Sequence, residues 1–591
     1  MLLGMRSFAA ALQLEIYWVY MRQLAREIVK ESPHLANFIS EGAGDPDAER
    51  LIQGFALLTS RLRYVIDDDF PEITLGMLAR VWPMAMCPLP PTSVVQFLPT
   101  GKNKNYLGAM TLPAGTPVFA AREQQEIQFE TCCPVHIEPL TVIDRQLSTT
   151  EDYSEITLTL HYSGNTAAWQ SQPLDFFLGS DRQQAAQLAL WIDYYLCDVQ
   201  LRTQDKTITL RDSYPVSALW GTERQVPILP SPKIDRFSVL QLIMEYYYLP
   251  HVHDFVTINI QNGCRSVTLN KDQTFQLILR FEGNLTLSDI SQAFLLGCAP
   301  VRQLEQMTSV AIPINSESSH YEIPLRADER LFKLNHVYMS TEPKHQARGQ
   351  PCRYLPIEQF SPISHFLPDA EFLYYYQLST ECDILQRTRH ELNFYDCHGE
   401  RANHLPSQSI FCQFTGYRQQ AANLDIGDIN RPGENTTALT VRNITPVSAC
   451  YPSMTEDRSA WPLFSGFSCS PWMMFKTHSV QDFLRVFDFS ADRLMSKRLR
   501  EHINGIVRLE HIPIDRLDRG IPVRGSKLIL TLNPDCYTNE GEMYQFSVLM
   551  TRLMTFFISM ETFLVMTVID DHTKEVLWDF QDLMHGLHFC M

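Results

Sequence analysis

Four short runs bring chemically capable side chains together. His251-Val252-His253-Asp254 sets two imidazoles two residues apart. In an extended segment both point to one side and could pair on a metal. Nothing nearby assigns a third ligand, and a turn entering a strand accounts for the run equally. Asp67-Asp68-Asp69 offers carboxylates suited to a hard cation. These aspartates run into Phe70-Pro71, where a solvated turn explains them. Ser465-Gly466-Phe467-Ser468-Cys469 is rich in nucleophile types but has no assignable general base, and reads as a loop at a domain junction. Cys132-Cys133 is an adjacent pair among 14 scattered cysteines, a spacing that matches neither a small disulfide scaffold nor a zinc ribbon.

Phosphate-binding loops, dinucleotide fingerprints, zinc-protease helices and serine-hydrolase elbows leave no signature. The sequence therefore assigns no catalytic residue, no metal ligand and no cofactor. With 49 basic against 67 acidic residues the net charge is −18. Phosphate backbones and anionic membranes reward clustered cations, so nucleic acid and membrane surfaces are poor partners for it. The cysteine usage fits buried thiols in a reducing compartment, and the sequons at Asn284, Asn435 and Asn443 then carry no meaning.

No run reaches the roughly 18 apolar residues of a membrane span. The longest, Thr555 to Ile569, is interrupted by Glu561. The apolar first 21 residues lack a basic leading region and contain Glu15, so they read as a packed amphipathic helix and not as a signal peptide. A cytoplasmic location is expected.

The elements that must position any site change in texture along the chain. Leu12, Ile16, Val19, Tyr20, Leu24 and Ile28 recur at helical steps. Asp45-Pro46-Asp47 opens a second helix. There Leu51, Phe55, Leu58, Leu62 and Val65 alternate steps of four and three, the spacing of a helix-pairing seam. These five are the interface candidates, and an ordinary core stripe explains them as well.

From residue 92 strands take over. Ile156, Leu158 and Leu160, then Val256, Ile258 and Ile260, then Phe275, Leu277 and Leu279 each keep a period of two. Helices are expected at Gln183–Leu196, Phe237–Tyr248, Asp482–Arg500 and after Gly541, and strands at Lys527–Leu532 and Leu564–Ile569, the latter closing the chain. The polar stretch Arg401–Thr437 reads as a long loop or a poorly ordered excursion. The expectation is a multidomain α+β protein. Its divisions are a helical segment over 1–91, a β-rich domain with inserted helices over 92–330, and a mixed α/β domain over 331–591.

The run from Asp45 to Pro83 resembles the amino-terminal signature of the TssF family of type VI secretion baseplates. Asp45, Pro46, Glu49, Arg50, Leu51, Gly54, Phe55, Ala56, Leu58, Arg61, Asp67, Asp68, Phe70, Pro71 and Glu72 match it. Ala48, Ser60 and Met84-Ala85-Met86 depart from it. Further similar elements follow in family order at Pro113–Thr116, Phe129–Leu140, Leu174–Ser180, Leu240–Pro250 and Leu295–Leu304, with Val441-Arg442-Asn443 a remnant in the weakest region. The resemblance implies a non-enzymatic wedge like those of contractile phage baseplates. It implies two copies joined to one TssG, assembly with TssK and TssE around the VgrG spike, and a place at a membrane-docked baseplate where wedge rearrangement sets off sheath contraction. A phage tail or extracellular contractile particle is the alternative within this fold, and a β-rich hydrolase the alternative outside it.

Overall fold

Strands form where apolar residues alternate. The computed structural model describes residues 74–585, less internal stretches of which the longest are 218–236, 340–352, 261–272 and 361–372. The seam Leu51, Phe55, Leu58, Leu62 and Val65 therefore lies outside the described residues. So do Asp67–Asp69 and the family-motif positions Asp45, Pro46, Glu49, Arg50, Gly54, Arg61, Phe70 and Pro71. The described chain opens on a helical stretch, 74–81, that buries Leu78 and leads to buried Trp82.

A six-stranded sheet runs in the order Ile429–Pro432, Pro117–Arg122, Gln125–Thr131, Cys298–Arg302, Thr92–Pro99 and Leu439–Asn443. Val95, Phe97, Val118, Ile127, Phe129, Val301 and Val441 fill its core. Strand Thr92–Pro99 follows Cys298–Arg302 closely because Gly297 has no side chain. A Cβ there would lie 2.5 Å from the Phe97 carbonyl oxygen, at a backbone φ of +67°.

A second sheet orders Thr207–Thr209, Leu196–Arg202, Gln273–Glu282, Tyr153–Tyr162 and Leu140–Thr149. Its register sets Ile156 against Leu279, Leu158 against Leu277 and Leu160 against Phe275, and all six are buried. The period-two runs thus pair with one another. The run at Val256, Ile258 and Ile260 pairs elsewhere, with Phe255–Ile258 lying beside Leu174–Phe177.

Two four-stranded sheets share one core between residues 305 and 418. Ile312, Val337, Ile410 and Cys412 of one face Tyr354, Tyr376, Leu392 and Phe394 of the other. The polar stretch Arg401–Thr437, expected as a loop, supplies the central strand Ser409–Arg418. It also supplies a turn of 3-10 helix at Gln419–Asn423 and the strand Ile429–Pro432. Ile410, Cys412 and Phe414 are fully buried on one face, while Phe411, Gln413 and Thr415 alternate with them and point the other way.

The last sheet orders Ile506–Asp518, Ile521–Leu532, Phe563–Asp570 and Val576–His585. Its middle pair is parallel, and helix Glu540–Phe557 makes the crossover that a parallel pair requires. That helix is buried nearly all round, with Gln545, Ser547, Thr551 and Thr555 buried beside its apolar residues. Phe563–Asp570, expected to close the chain, is followed by Val576–His585, which lays buried Trp578 against Val568. The helix expected over Asp482–Arg500 is two helices, Thr477–Arg485 and Arg493–Gly505. Between them Phe487 and Phe489 are buried in the core, and the Phe487 carbonyl accepts from Tyr248 OH at 2.5 Å. The Ser465 run is likewise not a loop, since helix Ala460–Phe467 covers its first half.

Candidate functional site

Four helices from distant parts of the chain meet around a buried charged junction. Helix Arg182–Leu190 starts at Asp181, whose carboxylate accepts from the Gln183 amide at 3.0 Å. Helix Ser238–Tyr248 buries ten of its eleven residues, Glu245, Tyr246, Tyr247 and Tyr248 among them. Helix Arg493–Gly505 contributes Arg498 and His502. Helix Glu540–Phe557 contributes Glu542 from its first turn.

Asn539 caps that last helix through the Glu542 amide at 2.8 Å, and Glu542 Oε2 reaches back to the Thr538 amide at 2.8 Å. This is a variant of the reciprocal capping box. Gly541 lets the cap sit against helix Arg182–Leu190, because a Cβ there would be 2.4 Å from the Ala186 carbonyl carbon.

The other oxygen of Glu542 accepts from Arg498 Nε at 2.6 Å and lies 3.3 Å from His502 Nε2. His502 Nδ1 is 3.1 Å from Tyr247 OH. An ionised Glu542 can only accept, so the neutral imidazole donates through Nε2 and accepts the Tyr247 hydroxyl hydrogen bond at Nδ1. The Arg182 and Arg498 guanidiniums lie 5.2 and 5.3 Å from the Tyr246 ring centre. Arg182 also donates to the Tyr246 carbonyl at 2.7 Å.

Burial works against ionising Glu542, but the His502 hydrogen bond and the Arg498 charge outweigh it and hold the carboxyl well below the usual range. Burial lowers His502, and the Arg498 charge adds to it against the pull of Glu542. Burial also pushes the Tyr247 and Tyr537 hydroxyls well up. The junction at neutral pH holds one carboxylate, two guanidiniums and a neutral imidazole. Its chemistry is to fix four helices in one arrangement.

The residues that the sequence singled out are placed as follows. His251 stands in a turn at φ +68° and pairs with Asp254 at 3.2 Å, whereas His253 turns to Glu245 at 2.9 Å. The two imidazoles thus go to different carboxylates. Among the described residues no group of three or more His, Cys, Asp or Glu is placed to hold a metal. Ser465 donates to the Pro462 carbonyl at 2.9 Å inside its own helix, and Cys469 lies 3.4 Å from the Ser465 carbonyl. Arg182, Arg498, His502 and Glu542 were not anticipated. The one local signal that could have marked any of them is the Asn539-x-x-Glu542 spacing, which was not read and which signals a cap and not a partner 44 residues upstream.

Strand-rich sheets joined through buried helices, with the charged side chains of the junction spent on one another, define a multi-sheet scaffold. No helix among the described residues is long and apolar enough to cross a membrane.

Residues 15–586 match the family model for the type VI secretion system protein TssF, and the chain belongs to that family. The type VI secretion system component TssF1 of Pseudomonas aeruginosa is 24% identical over 288 residues. That match takes in 44% of this chain and 45% of the relative, so it spans less than half the relative's length. The fold is similar to a chain in the cryo-electron microscopy structure of the type VI secretion system TssK-TssF-TssG baseplate subcomplex. There the TM-score is 0.70 at 20% identity, covering 91% of this chain and 99% of that one. A chain of the type VI secretion baseplate complex is also similar, with a TM-score of 0.55 at 18% identity over 98% of this chain and all of that one.

Proposed function

We propose that this chain is a structural wedge subunit of a type VI secretion baseplate. The observation that carries the proposal is the match of 91% of the chain to a chain of the TssK-TssF-TssG subcomplex. In this reading two copies join one TssG-like protein, and that unit binds a TssK-like protein. TssE joins the assembly around the VgrG spike. The wedge transmits a rearrangement that lets the sheath contract, from the cytoplasmic side of a membrane-docked baseplate. It carries out no catalysis and binds no cofactor or nucleic acid. The seam Leu51, Phe55, Leu58, Leu62 and Val65 is the contact with the partner bundle.

A net charge of −18 suits a subunit whose partners are proteins and not phosphate backbones. The test is co-expression with the TssG-like and TssK-like proteins of the same system, followed by affinity capture and native mass measurement. Two copies of this chain per TssG-like chain is the expected result. A folded protein that captures neither partner would overturn the proposal.

A further inference from the structure

Among the described residues, every strand of the two sheets between Glu305 and Arg418 pairs inside that unit and none pairs with a strand of the rest, the body. The unit is inserted between strands Cys298–Arg302 and Ile429–Pro432 of the six-stranded sheet. The chain enters and leaves it at adjacent points. Gln303 joins the two crossings, accepting from the Arg418 amide at 2.6 Å and donating to Glu305 Oε1 at 3.0 Å.

The unit keeps its own core, in which Ile312, Val337, Leu392 and Phe394 pack. Among its described residues, Phe332 and Tyr417 alone join the apolar cores of the body. Phe332 does so through a bulge. Leu331 pairs with Gly416 and Lys333 with Thr415, so Phe332 is the extra residue and is turned out of its strand. Gly416 keeps the root tight, since a Cβ there would lie 2.8 Å from the Arg330 carbonyl oxygen. It pairs with Glu305 on one side and Leu331 on the other, so three strands move as one piece. A module on two adjacent crossings with so small an apolar seat is free to turn against its neighbour unless something else fixes it.

Glu305 supplies that fixing. Its Oε1 accepts from the Gln128 amide of body strand Gln125–Thr131 at 3.2 Å. Its Oε2 lies 3.4 Å from both Nε and Nη2 of Arg418, whose Nη1 is 3.8 Å from Asp328. Partly exposed ion pairs at such distances hold weakly. Gln303 links the crossings to each other and can turn with them, whereas the Gln128 bond ties the unit to a body strand and must break.

We infer that the 305–418 unit is an arm that swings as one body about its paired crossings, with Phe332 as the pivot and the Glu305–Gln128 bond as the latch of its resting position. The inference deepens the reading of this chain as a wedge that rearranges. The swing is measured on the chain without partners, so its failure leaves that reading standing, and failed partner capture leaves the swing standing.

Spin labels are attached to the full chain through ketone-bearing amino acids, which leaves the 14 cysteines alone. One pair joins exposed Ser148 in the body to exposed Glu400 in the arm, and a control pair joins exposed Thr308 to Glu400 inside the arm. Pulsed electron-electron resonance reads each distance distribution. Wild type should give one narrow peak for each pair. In Glu305→Ala the body–arm peak should broaden and shift while the control peak stays. Glu305→Gln, which keeps an acceptor for Gln128 but loses the charge on Arg418, should fall between, and it carries the test if the alanine variant does not fold. A body–arm peak unchanged in both variants would overturn the inference, as would a wild-type peak already as broad as theirs. Broadening of both pairs together would overturn it too, because the arm would then be losing structure and not swinging.

Discussion

Arg498 Nε lies 2.6 Å from Glu542 Oε1, an ion pair between two helices that the chain reaches 44 residues apart. Glu542 has 8% of its side chain exposed and Arg498 20%, so neither charge can turn to water. Removing one partner strands the other. Glu542→Ala is expected to destabilise the protein by about 3–5 kcal/mol, while the pair Arg498→Met with Glu542→Met should recover much of that. Urea unfolding of the three variants checks this. A wild-type midpoint for Glu542→Ala would sink it.

Two histidines make stability fall on mild acidification. Burial, helped by the Arg330 charge, lowers His390 to about 4. Burial lowers His502 as well. Each binds its proton less readily in the folded chain than in the unfolded one, whose value is about 6.5. Below that value the unfolded chain takes up more protons, so stability is complete above it and declines as pH falls. For His390 the decline runs down to about 4. Glu542 acts later. Its stabilising charge is intact above the unfolded carboxylate value of about 4.3 and is lost below it. Urea midpoints taken from pH 8 to pH 4 should fall from about 6.5 downward, and His390→Asn should flatten the curve. A midpoint that rises across that interval would contradict the assignment.

Gly297 sits at φ +67°, with the Phe97 carbonyl oxygen 2.5 Å from where a Cβ would be. Gly297→Ala must both strain the backbone and push two strands apart. A loss of about 1–3 kcal/mol is expected from the conformation alone, with the clash adding to it. Thermal unfolding measures it, and Gly115→Ala is the control. Gly115 has φ +81° but nothing within 4 Å of its Cβ position, so the difference between the two isolates the clash.

The legible parts of the fold were those whose signal is local. Ile156, Leu158 and Leu160 announced their strand because threonines separate them. The helix following Gly541 announced itself through Phe546, Leu549, Met550, Leu553 and Phe557. Ser409–Arg418 was hidden because Ile410, Cys412 and Phe414 sit among glutamines and glycines that favour turns, and only a sheet on the other side of the core decides the matter. No local pattern could place Leu439–Asn443 beside Thr92–Pro99, since the information lies in how the intervening chain packs. The junction was illegible for the same reason. Arg182, Tyr247, Arg498 and Glu542 look like ordinary helix residues until four helices converge, and the pair of histidines two residues apart drew attention to a spacing that the fold divides between Asp254 and Glu245.

Asn443 gives the sharpest local test of how that returning strand is held. Its side chain is fully buried in the last strand of the six-stranded sheet. Its carbonyl oxygen accepts from the Gly427 amide at 2.8 Å and the Ile429 amide at 3.0 Å. Its amide donates to the Asp425 and Thr445 carbonyls at 3.1 and 3.0 Å. One side chain thus ties the 425–429 turn to its strand, and all four of its hydrogen-bonding capacities are used. Asn443→Ala leaves buried backbone groups without partners, at roughly 1–3 kcal/mol for each that water cannot reach. Asn443→Asp keeps the acceptor but loses both donors and buries a charge, so it should be at least as damaging. Hydrogen exchange at the Gly427 and Ile429 amides should rise in Asn443→Ala before any global loss of structure. Exchange unchanged at those two amides would show that the turn is held by something other than this side chain.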